Sequence, residues 1–395
     1  MRQVNILTLS KALQEIRVQT LNAFECYLRA NKLSMPYKTG LNPPVWELGH
    51  VAWFQEYWIA RNLQRSQGLA SDLSHPRKAS LLSDADAWFD SAKVAHSTRW
   101  ELKLLTAHQC TQYAEQTLAQ TLELLHLETD QSPSLYFYWL VLQHEAMHLE
   151  ASAYMAQSLG LPFKALWPHQ APKSEIDPTS ERKSHHPSAE YKTATVPSQT
   201  WKLGSKNFPS NSALEETQFC FDNELIEKTC SIKAFEISLQ PVNWVQYLDF
   251  VNATGYRLPN YIRKTDTDFE AEVFGSWLPL NKNAPAVHLS WADAQAYCAW
   301  AKCRLPTEAE WDCAAKTIME FEWGTVWEWT QDTFAPYEDF VAHPYTEYSE
   351  PWFGTHKVLR GSSHLTHHVL KHVNYRNFFT PERDDIYAGF RTCAL

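Results

Sequence analysis

The spacing of apolar residues changes partway along this chain, and the change limits the folds that it can adopt. Up to about Leu161 the apolar residues recur at helical intervals. Pro43-Pro44 and Ser132-Pro133 stand where two of the apolar runs begin, and proline is tolerated in the first turn of a helix. The sequence therefore predicts a bundle of about four helices, at residues 7–33, 45–61, 84–127 with a break, and 134–159.

The remainder of the chain has a different pattern. Residues 168–197 are rich in Pro, Ser, Thr, Lys, Glu and His, which is typical of a linker, and we interpret His185-His186 as part of a solvated loop. After Thr200 come short alternating runs and turn signals, with helical spacing at 243–252 and 291–302, which indicates an irregular α+β domain. We therefore expect a multi-domain α and α+β protein, with a helical domain at 1–167, a linker at 168–197 and a second domain at 198–395.

Length and charge narrow the choice of partners. A chain of 395 residues exceeds one ordinary core and predicts two domains. The formal net charge of -10 and the lack of a basic run argue against nucleic-acid or anionic-membrane partners. Residues 1–20 lack the apolar core of a signal peptide, no later stretch is apolar enough to span a bilayer, and the eight cysteines form no CxxC pair. We expect a cytoplasmic protein with reduced thiols that binds small molecules.

Two histidines four residues apart, His144 and His148, lie within the last predicted helix of the bundle. Residues at this spacing share one helical face, so both imidazoles can reach one metal ion. A third candidate ligand is His50 in the second predicted helix, because facing helices of a bundle can project ligands into a shared site. A single histidine on an apolar helix face is more often a hydrogen-bonded core residue, but the pair makes ligation the better interpretation. Three neutral imidazoles leave open positions and suit iron or zinc.

Two glutamates near this pair need separate interpretation. His144-Glu145-x-x-His148 matches the zinc-protease signature, in which Glu145 would be the general base, but no third ligand follows nearby and we disfavour this reading. Glu150 is rotated by about 200 degrees from His148 around the helix. It is therefore expected to support the site from outside the ligand set, or to be purely structural.

Strings in both halves resemble those of one family. These strings include Leu48-Gly49-His50-Val51-Ala52-Trp53-Phe54, His144-x-x-x-His148-x-Glu150, Phe221-Asp222-Asn223-Glu224, Arg304-Leu305-Pro306-Thr307-Glu308-Ala309-Glu310-Trp311, Val326-Trp327-Glu328-Trp329-Thr330 and Gly389-Phe390-Arg391. Through them the chain is similar to the non-haem iron sulfoxide synthases of ergothioneine and ovothiol biosynthesis, in which a DinB-like four-helix metal-binding domain precedes a formylglycine-generating-enzyme-like (C-type-lectin-like) α+β domain.

The resemblance implies a reaction and a site. His50, His144 and His148 would hold Fe(II), with dioxygen as co-substrate, and the second domain would cover the open face of the metal. The family joins hercynine, a histidine betaine, to a thiol at the imidazole C2. Its active-site tyrosines correspond to Tyr345 and Tyr348, whose phenols can do general-acid work.

Departures from the family pattern concern the second substrate. Thiol-using members carry arginines that grip the carboxylates of γ-glutamylcysteine, whereas the comparable stretch here, residues 79–86, has acidic residues. Phe379 replaces an aspartate that would meet the amino group of that thiol, and only Arg383 remains of an arginine pair. Met147 stands where the family often has glutamine.

With these departures the chain resembles the selenoneine synthase branch of the family. That branch uses hercynine and replaces the thiol with a selenosugar. A neutral sugar suits a pocket with fewer arginines and more aromatics. The resemblance implies substrate-binding residues at Asn377, Phe378, Phe379 and Arg383. Phe378 with Trp53 or Trp352 are candidate walls for the trimethylammonium group of hercynine.

Other interpretations of the sequence stay open. The close alternative is an ergothioneine- or ovothiol-type synthase that joins hercynine or histidine to cysteine or γ-glutamylcysteine. A more distant one is a zinc-dependent hydrolase or thiol transferase on the helical bundle. The third is a binding protein in which the bundle serves as a scaffold.

Overall fold

The helical half is built around four long helices in the computed structural model, which describes residues 5–163, 192–205, 219–225 and 228–395. Helices α1, α2, α4 and α5 pack against one another, and α3 is a single short turn in the connection between α2 and α4. No helix of these described segments has the length and apolar character needed to cross a membrane. The helices are α1 Ile6–Arg29, α2 Pro44–Trp58, α3 Ala85–Phe89, α4 Ala107–Leu125 and α5 Leu135–Ser158.

Local sequence signals explain where these helices begin. Asn5 caps α1 by accepting from the backbone of Thr8, and Pro44 occupies the first turn of α2. Thr106 and Gln109 form a reciprocal capping box at α4. The predicted segments are confirmed as helices, and the expected break in 84–127 separates α3 from α4.

The second half is an α+β assembly of short elements. Its helices are α6 Trp244–Thr254, α7 Trp291–Ala301 and α8 Glu308–Thr317. Its strands are β1 Thr193–Val196, β2 Gln199–Leu203, β3 Lys228–Ile232, β4 Phe235–Ser238, β5 Ile262–Lys264, β6 Phe269–Val273, β7 Ser276–Pro279, β8 Cys303–Arg304, β9 Trp327–Thr333, β10 Lys357–Gly361, β11 Asn377–Phe379, β12 Ala388–Gly389 and β13 Cys393–Ala394. They form sheets in the orders β1-β4-β13-β8, β11-β10-β9-β12, β2-β3 and β5-β6-β7.

Several features of this half differ from the sequence expectations or extend them. Helices α6 and α7 were predicted, whereas α8 was not, because its apolar periodicity is weak and its start depends on a capping box between Thr307 and Glu310. Most of the predicted linker, including His185-His186, lies outside the described residues. Its end, 193–196, forms β1, because β-branched residues there pair antiparallel with β4.

The two halves meet along α5. Trp327 and Ser363 donate to one carboxylate oxygen of Glu150 at 2.9 and 2.6 Å, and Gln143 donates to the carbonyl of Val369 at 3.0 Å. Helix α5 is therefore covered on one side by the bundle and on the other by the α+β half. Because both sides are covered, the first turns of α5 are apolar all round and have no exposed polar face.

The turn between β6 and β7 docks at the carboxyl end of α5. Gln157 donates to the carbonyl of Glu272 at 2.9 Å and accepts from the backbone of Phe274 at 2.8 Å. Gly275, with φ of 80°, approaches Gly160 so closely that a Cβ there would lie 2.2 Å from the Gly160 carbonyl oxygen. Only glycine allows this contact.

Candidate metal centre

Three histidines from two helices meet in the interior of the molecule. His50 lies on α2, whereas His144 and His148 lie one turn apart on α5. One ligand-capable nitrogen of each ring lies within 4.8 Å of the other two. The ring centroids are 4.5 to 5.0 Å apart. The structure thus brings together the three residues that the sequence analysis predicted as metal ligands.

Two of the three rings are held from behind through Nδ1. Nδ1 of His50 donates to the carbonyl oxygen of Phe89 at 2.7 Å, and Nδ1 of His148 lies 2.5 Å from a carboxylate oxygen of Glu47. Asn42 donates to the other oxygen of that carboxylate. These contacts leave Nε2 of both rings for another ligand. No role was predicted for Glu47, although it lies three residues before His50 and shares its helical face.

Burial within the cluster favours neutral imidazoles at His50 and His144. Burial and the proximity of His148 lower the pKa of His50 to about 3, and burial with its neighbouring histidines lowers the pKa of His144 well below its ordinary value. Burial alone would raise the pKa of Glu47, but its attraction to and hydrogen bond with His148 lower it to about 2.

This donor set fits a divalent metal ion. Three imidazoles, one backed by a carboxylate and one by a carbonyl, are ligands typical of iron or zinc. Nδ1 of His144 is buried without a hydrogen-bond partner among the described residues. The ring of His144 stacks on Phe54 at 3.6 Å between centroids, which fixes its plane.

Both glutamates near the histidine pair have partners other than the cluster. The carboxylate of Glu145 receives two hydrogen bonds from the guanidinium of Arg17, at 2.7 and 2.9 Å, and both side chains are buried. Glu150 accepts from Trp327 and Ser363, and burial raises its pKa. Glu145 therefore anchors α5 to α1, and Glu150 joins α5 to the α+β half.

An irregular segment of the second half, residues 343–349, covers the cluster. The ring of Tyr345 lies 6.2 Å from that of His144 and 4.9 Å from that of Phe54. Tyr348 is buried, with its ring 6.0 Å from Tyr345. Burial raises the pKa of both phenols, so both carry their hydrogen at neutral pH. Tyr345 thus lies against the histidines, and Tyr348 lies behind it.

Asp222 and Asn223 anchor this tyrosine segment at both ends. Asp222 accepts from the hydroxyl of Ser349 at 2.5 Å and from the backbone N–H of His343 at 3.3 Å. Asn223 also donates to the Ser349 hydroxyl at 3.1 Å. Burial raises the pKa of Asp222 to about 6. Both residues lie within one of the strings that match the family, but no role was predicted for them, since no spacing rule connects positions so far apart.

Tyr375 joins the tyrosine segment to α5. Its hydroxyl lies 3.1 Å from the hydroxyl of Tyr348 and donates to the thioether of Met147 at 3.3 Å. Met147 precedes the candidate ligand His148 on α5. Met147 is one of the departures from the family pattern. No role was predicted for Tyr375, whose side chain is buried beside Phe221 and Trp327.

The predicted substrate-binding residues lie on β11 and in the turn after it. Phe378 stacks on Phe334 at 4.1 Å and meets the ring of Tyr348 at 5.7 Å. Asn377 accepts a hydrogen bond from the backbone of Phe378. Arg383 lies over the rings of Phe379 and of Tyr154 on α5, at 4.8 and 5.3 Å, and forms an ion pair with Asp385 at 2.5 Å.

The aromatic walls predicted for a trimethylammonium group are spread over the site. Trp53 lies beside His50, with ring centroids 5.9 Å apart, and donates to Asp86. Trp352 is 41% exposed and lies against His356. Of these residues, Trp53 lies in direct ring contact with a histidine of the cluster.

Two arginines in the connection between α2 and α4, Arg61 and Arg77, differ in their charge partners. Arg61 forms a bidentate pair with Asp86, at 2.7 and 2.8 Å. Arg77 instead lies over the rings of Tyr57 and Trp58, at 4.4 and 5.0 Å, and no carboxylate of the described segments is within ion-pairing distance of it. Its Nε is buried without a partner, and Trp58 contacts Tyr345. The sequence analysis did not consider Arg77.

Comparisons with known proteins extend over both halves of the chain. The family described as the sulfatase-modifying factor enzyme 1-like domain matches residues 188–325 and 322–394. "Hercynine oxygenase" of Mycolicibacterium smegmatis is 25% identical, over 97% of this chain and 98% of that protein. "Hercynine oxygenase" of Mycobacterium tuberculosis is 24% identical, over 91% and 92% respectively. "Ergothioneine biosynthesis protein 1" of Schizosaccharomyces pombe is 24% identical, over 86% of this chain and 50% of that protein.

Proposed function

Since the chain belongs to the family of the sulfatase-modifying factor enzyme 1-like domain and holds a cluster of three histidines, two of them buried, against that domain, we propose that it is an oxygen-dependent non-haem iron enzyme acting on the imidazole ring of hercynine. The observation that carries the proposal is the cluster of His50, His144 and His148 beneath Tyr345. Relatives named hercynine oxygenase, which match both halves, support the substrate.

Each part of the site has a role in this proposal. The three imidazoles hold Fe(II), which supplies the redox chemistry for using dioxygen. Glu47 and the Phe89 carbonyl keep two of the rings in the orientation and tautomer that binding requires. Tyr345 lies within reach of a molecule bound at the cluster and, with its raised pKa, keeps a hydrogen to donate. The α+β half excludes water from the reaction.

For the second substrate we propose a selenosugar, so that the product carries a carbon-selenium bond at C2 of hercynine and leads to selenoneine. The cation at the predicted pocket, Arg383, is already paired with Asp385, and Arg61 is paired with Asp86. Phe379 offers an aromatic face in place of an anion. A neutral, partly apolar donor loses nothing in such surroundings, whereas a doubly charged thiol would leave charges unpaired.

Arg77 favours a second candidate, a synthase that joins hercynine to cysteine or γ-glutamylcysteine. Its guanidinium is stacked on two aromatic rings and has no acidic partner within the described part of the chain, as expected of a group that binds a carboxylate. The relative named ergothioneine biosynthesis protein 1 also supports a sulfur donor.

A zinc-dependent hydrolase is disfavoured by the geometry of Glu145. A general base needs a carboxylate that can reach water beside the metal. Both oxygens of Glu145 accept instead from Arg17 in a buried pair on the far side of α5.

Turnover with defined donors tests the proposal. Protein purified anaerobically is loaded with Fe(II), mixed with hercynine and one donor (selenosugar, cysteine or γ-glutamylcysteine), and exposed to dioxygen before mass spectrometry. We expect an oxygen-dependent adduct with the selenosugar. An adduct formed only with a thiol would replace the first candidate by the second. Tight zinc with oxygen-independent activity, or no consumption of hercynine with any donor, would overturn both.

A further inference from the structure

A chain of three hydrogen-bonding groups runs from the tyrosine segment to α5. The hydroxyl oxygens of Tyr348 and Tyr375 are 3.1 Å apart, and the hydroxyl of Tyr375 lies 3.3 Å from the sulfur of Met147. Tyr348 and Tyr375 are buried, at 8% and 2% exposure. The chain ends one residue from the candidate ligand His148.

The thioether fixes the direction of this chain. Each phenol has one hydrogen, and a thioether has none, so Met147 can only accept. Both hydrogen bonds form together only if Tyr375 donates to Met147 and Tyr348 donates to Tyr375. The opposite orientation of Tyr375 would leave Met147 without a donor. A glutamine at position 147 could donate or accept and would not fix the direction.

We propose that Tyr375 is a positioning residue that takes the hydroxyl hydrogen of Tyr348, so that Tyr348 presents only lone pairs to a bound substrate. Tyr345 differs, because the described residues give its hydroxyl no hydrogen-bond partner, and it keeps a hydrogen to donate. The two tyrosines thus have opposite roles: Tyr345 is a donor and Tyr348 is an acceptor.

The proposal rests on the proposed function and names the group that the site recognises. An acceptor phenol next to Tyr345, which itself lies against the histidines, suits a substrate with a ring N–H, which an imidazole has. A carbonyl or an anion in the same place would face the lone pairs of Tyr348 and be disfavoured. The Met147–Tyr375–Tyr348 chain therefore selects a protonated ring nitrogen.

The hydrogen-bond chain is tested first without substrate. Thermal unfolding midpoints are measured for the metal-free wild type, Tyr348→Phe, Tyr375→Phe and the double variant. We expect the two single effects to be less than additive, because each substitution removes the same hydrogen bond. Strictly additive effects would show that the hydroxyls of Tyr348 and Tyr375 do not form a hydrogen bond, whatever the enzyme's substrate. Tyr247→Phe serves as control, since its buried hydroxyl has no partner among the described residues.

Selection of the ring N–H is tested next with the Fe(II)-loaded protein kept anaerobic. Calorimetry gives dissociation constants for hercynine and for an analogue methylated at the ring nitrogen. We expect the wild type and Tyr247→Phe to prefer hercynine by about tenfold, and Tyr375→Phe and Met147→Leu to lose most of that preference, because the hydrogen of Tyr348 can then turn toward the substrate. The added methyl group also makes the analogue larger, but this steric effect is common to all variants. The difference between variants therefore reports on the hydrogen bond.

The outcomes separate this proposal from the proposed function. An unchanged preference in Tyr375→Phe would overturn the positioning role while leaving the hercynine assignment intact. Failure of the wild type to bind hercynine would overturn the proposed function and the selection of an imidazole with it. The unfolding experiment would still decide whether Tyr375 holds the hydrogen of Tyr348.

Discussion

The two sides of the candidate site are built by different means. On one side, His144 and His148 owe their proximity to one turn of α5, and His50 and its supporting neighbour Glu47 lie on one face of α2. On the other side, Tyr345 and Tyr348 lie in a segment with little regular structure, held by Asp222 and its neighbour from more than 120 positions away. The ligand side thus depends on local helix geometry, and the substrate side depends on long-range buried polar contacts.

The largest effect should come from removing a ligand. His144→Ala leaves two imidazoles, too few to hold the ion in place, and we expect loss of stoichiometric iron and a fall in turnover of more than about 1,000-fold. Metal analysis and oxygen-dependent product formation measure both. His108→Ala, an exposed histidine on α4, is the control. Retained activity in His144→Ala would favour a binding protein with a helical scaffold.

A substitution of Glu145 tests whether this residue stabilises the fold or takes part in catalysis. Glu145→Gln leaves Arg17 buried without a counter-charge, so the free energy of unfolding should fall by about 3–5 kcal/mol. Turnover per folded, metal-loaded molecule should stay near that of the wild type. Denaturant unfolding and active-site-normalised kinetics measure the two effects. Arg17→Gln should destabilise similarly, and the double variant should be less than additive. Lost turnover with unchanged stability would restore the general-base interpretation.

Asp222 tests the long-range side through pH. Its pKa is raised to about 6 by burial, above its ordinary value of 3.8, so the folded state favours the protonated carboxyl. Stability from this group is therefore greatest at acid pH and is lost as the pH rises from about 4 to about 6, by up to about 3 kcal/mol. Asp222→Asn should abolish this slope in the urea midpoint, whereas Asp266→Asn, at an exposed position, should keep it. An unchanged slope would mean that Asp222 does not ionise in this range.

The contact between Glu47 and His148 offers a smaller change on the ligand side. Glu47→Gln removes the negative charge that polarises and orients the imidazole, and we expect iron affinity to fall about 10- to 100-fold without loss of fold. Competition with a chelator measures the affinity, and circular dichroism verifies the fold. Glu25→Gln, which breaks only an exposed pair with Arg29, is the control. Equal affinities in Glu47→Gln and wild type would show that the carboxylate does not support the ligand.

The same contrast explains what the sequence could predict. The pair of His144 and His148, the long helices and the α+β character of the second half follow from i,i+4 spacing, capping and alternation, which are local rules. His50 followed from the expectation that facing helices of a bundle share a site. Glu47 obeys the same local rule and could have been found. Tyr375, Asp222 and Arg77 could not, because their partners are brought close only by the packed fold. Because α5 is buried on both sides, its apolar residues are not confined to one face. Its sequence therefore lacks the apolar stripe that normally shows which face of a helix is buried.

The smallest expected effect is a change in the binding of the second substrate, the selenium or sulfur donor, when Arg77 is substituted. Arg77→Gln removes the unpaired guanidinium from the rings of Tyr57 and Trp58. If the donor is an anionic thiol, its dissociation constant should rise about tenfold, because a carboxylate loses a charge-assisted partner, whereas binding of a neutral selenosugar should not change. Lys78 is the next residue and its side chain is exposed. Lys78→Gln therefore removes an equal charge at the surface and is the matched control. Calorimetry on the anaerobic, Fe(II)- and hercynine-loaded protein separates the two donors. A loss confined to γ-glutamylcysteine would favour the sulfur synthase, and unchanged binding of every donor would leave that candidate without its structural support.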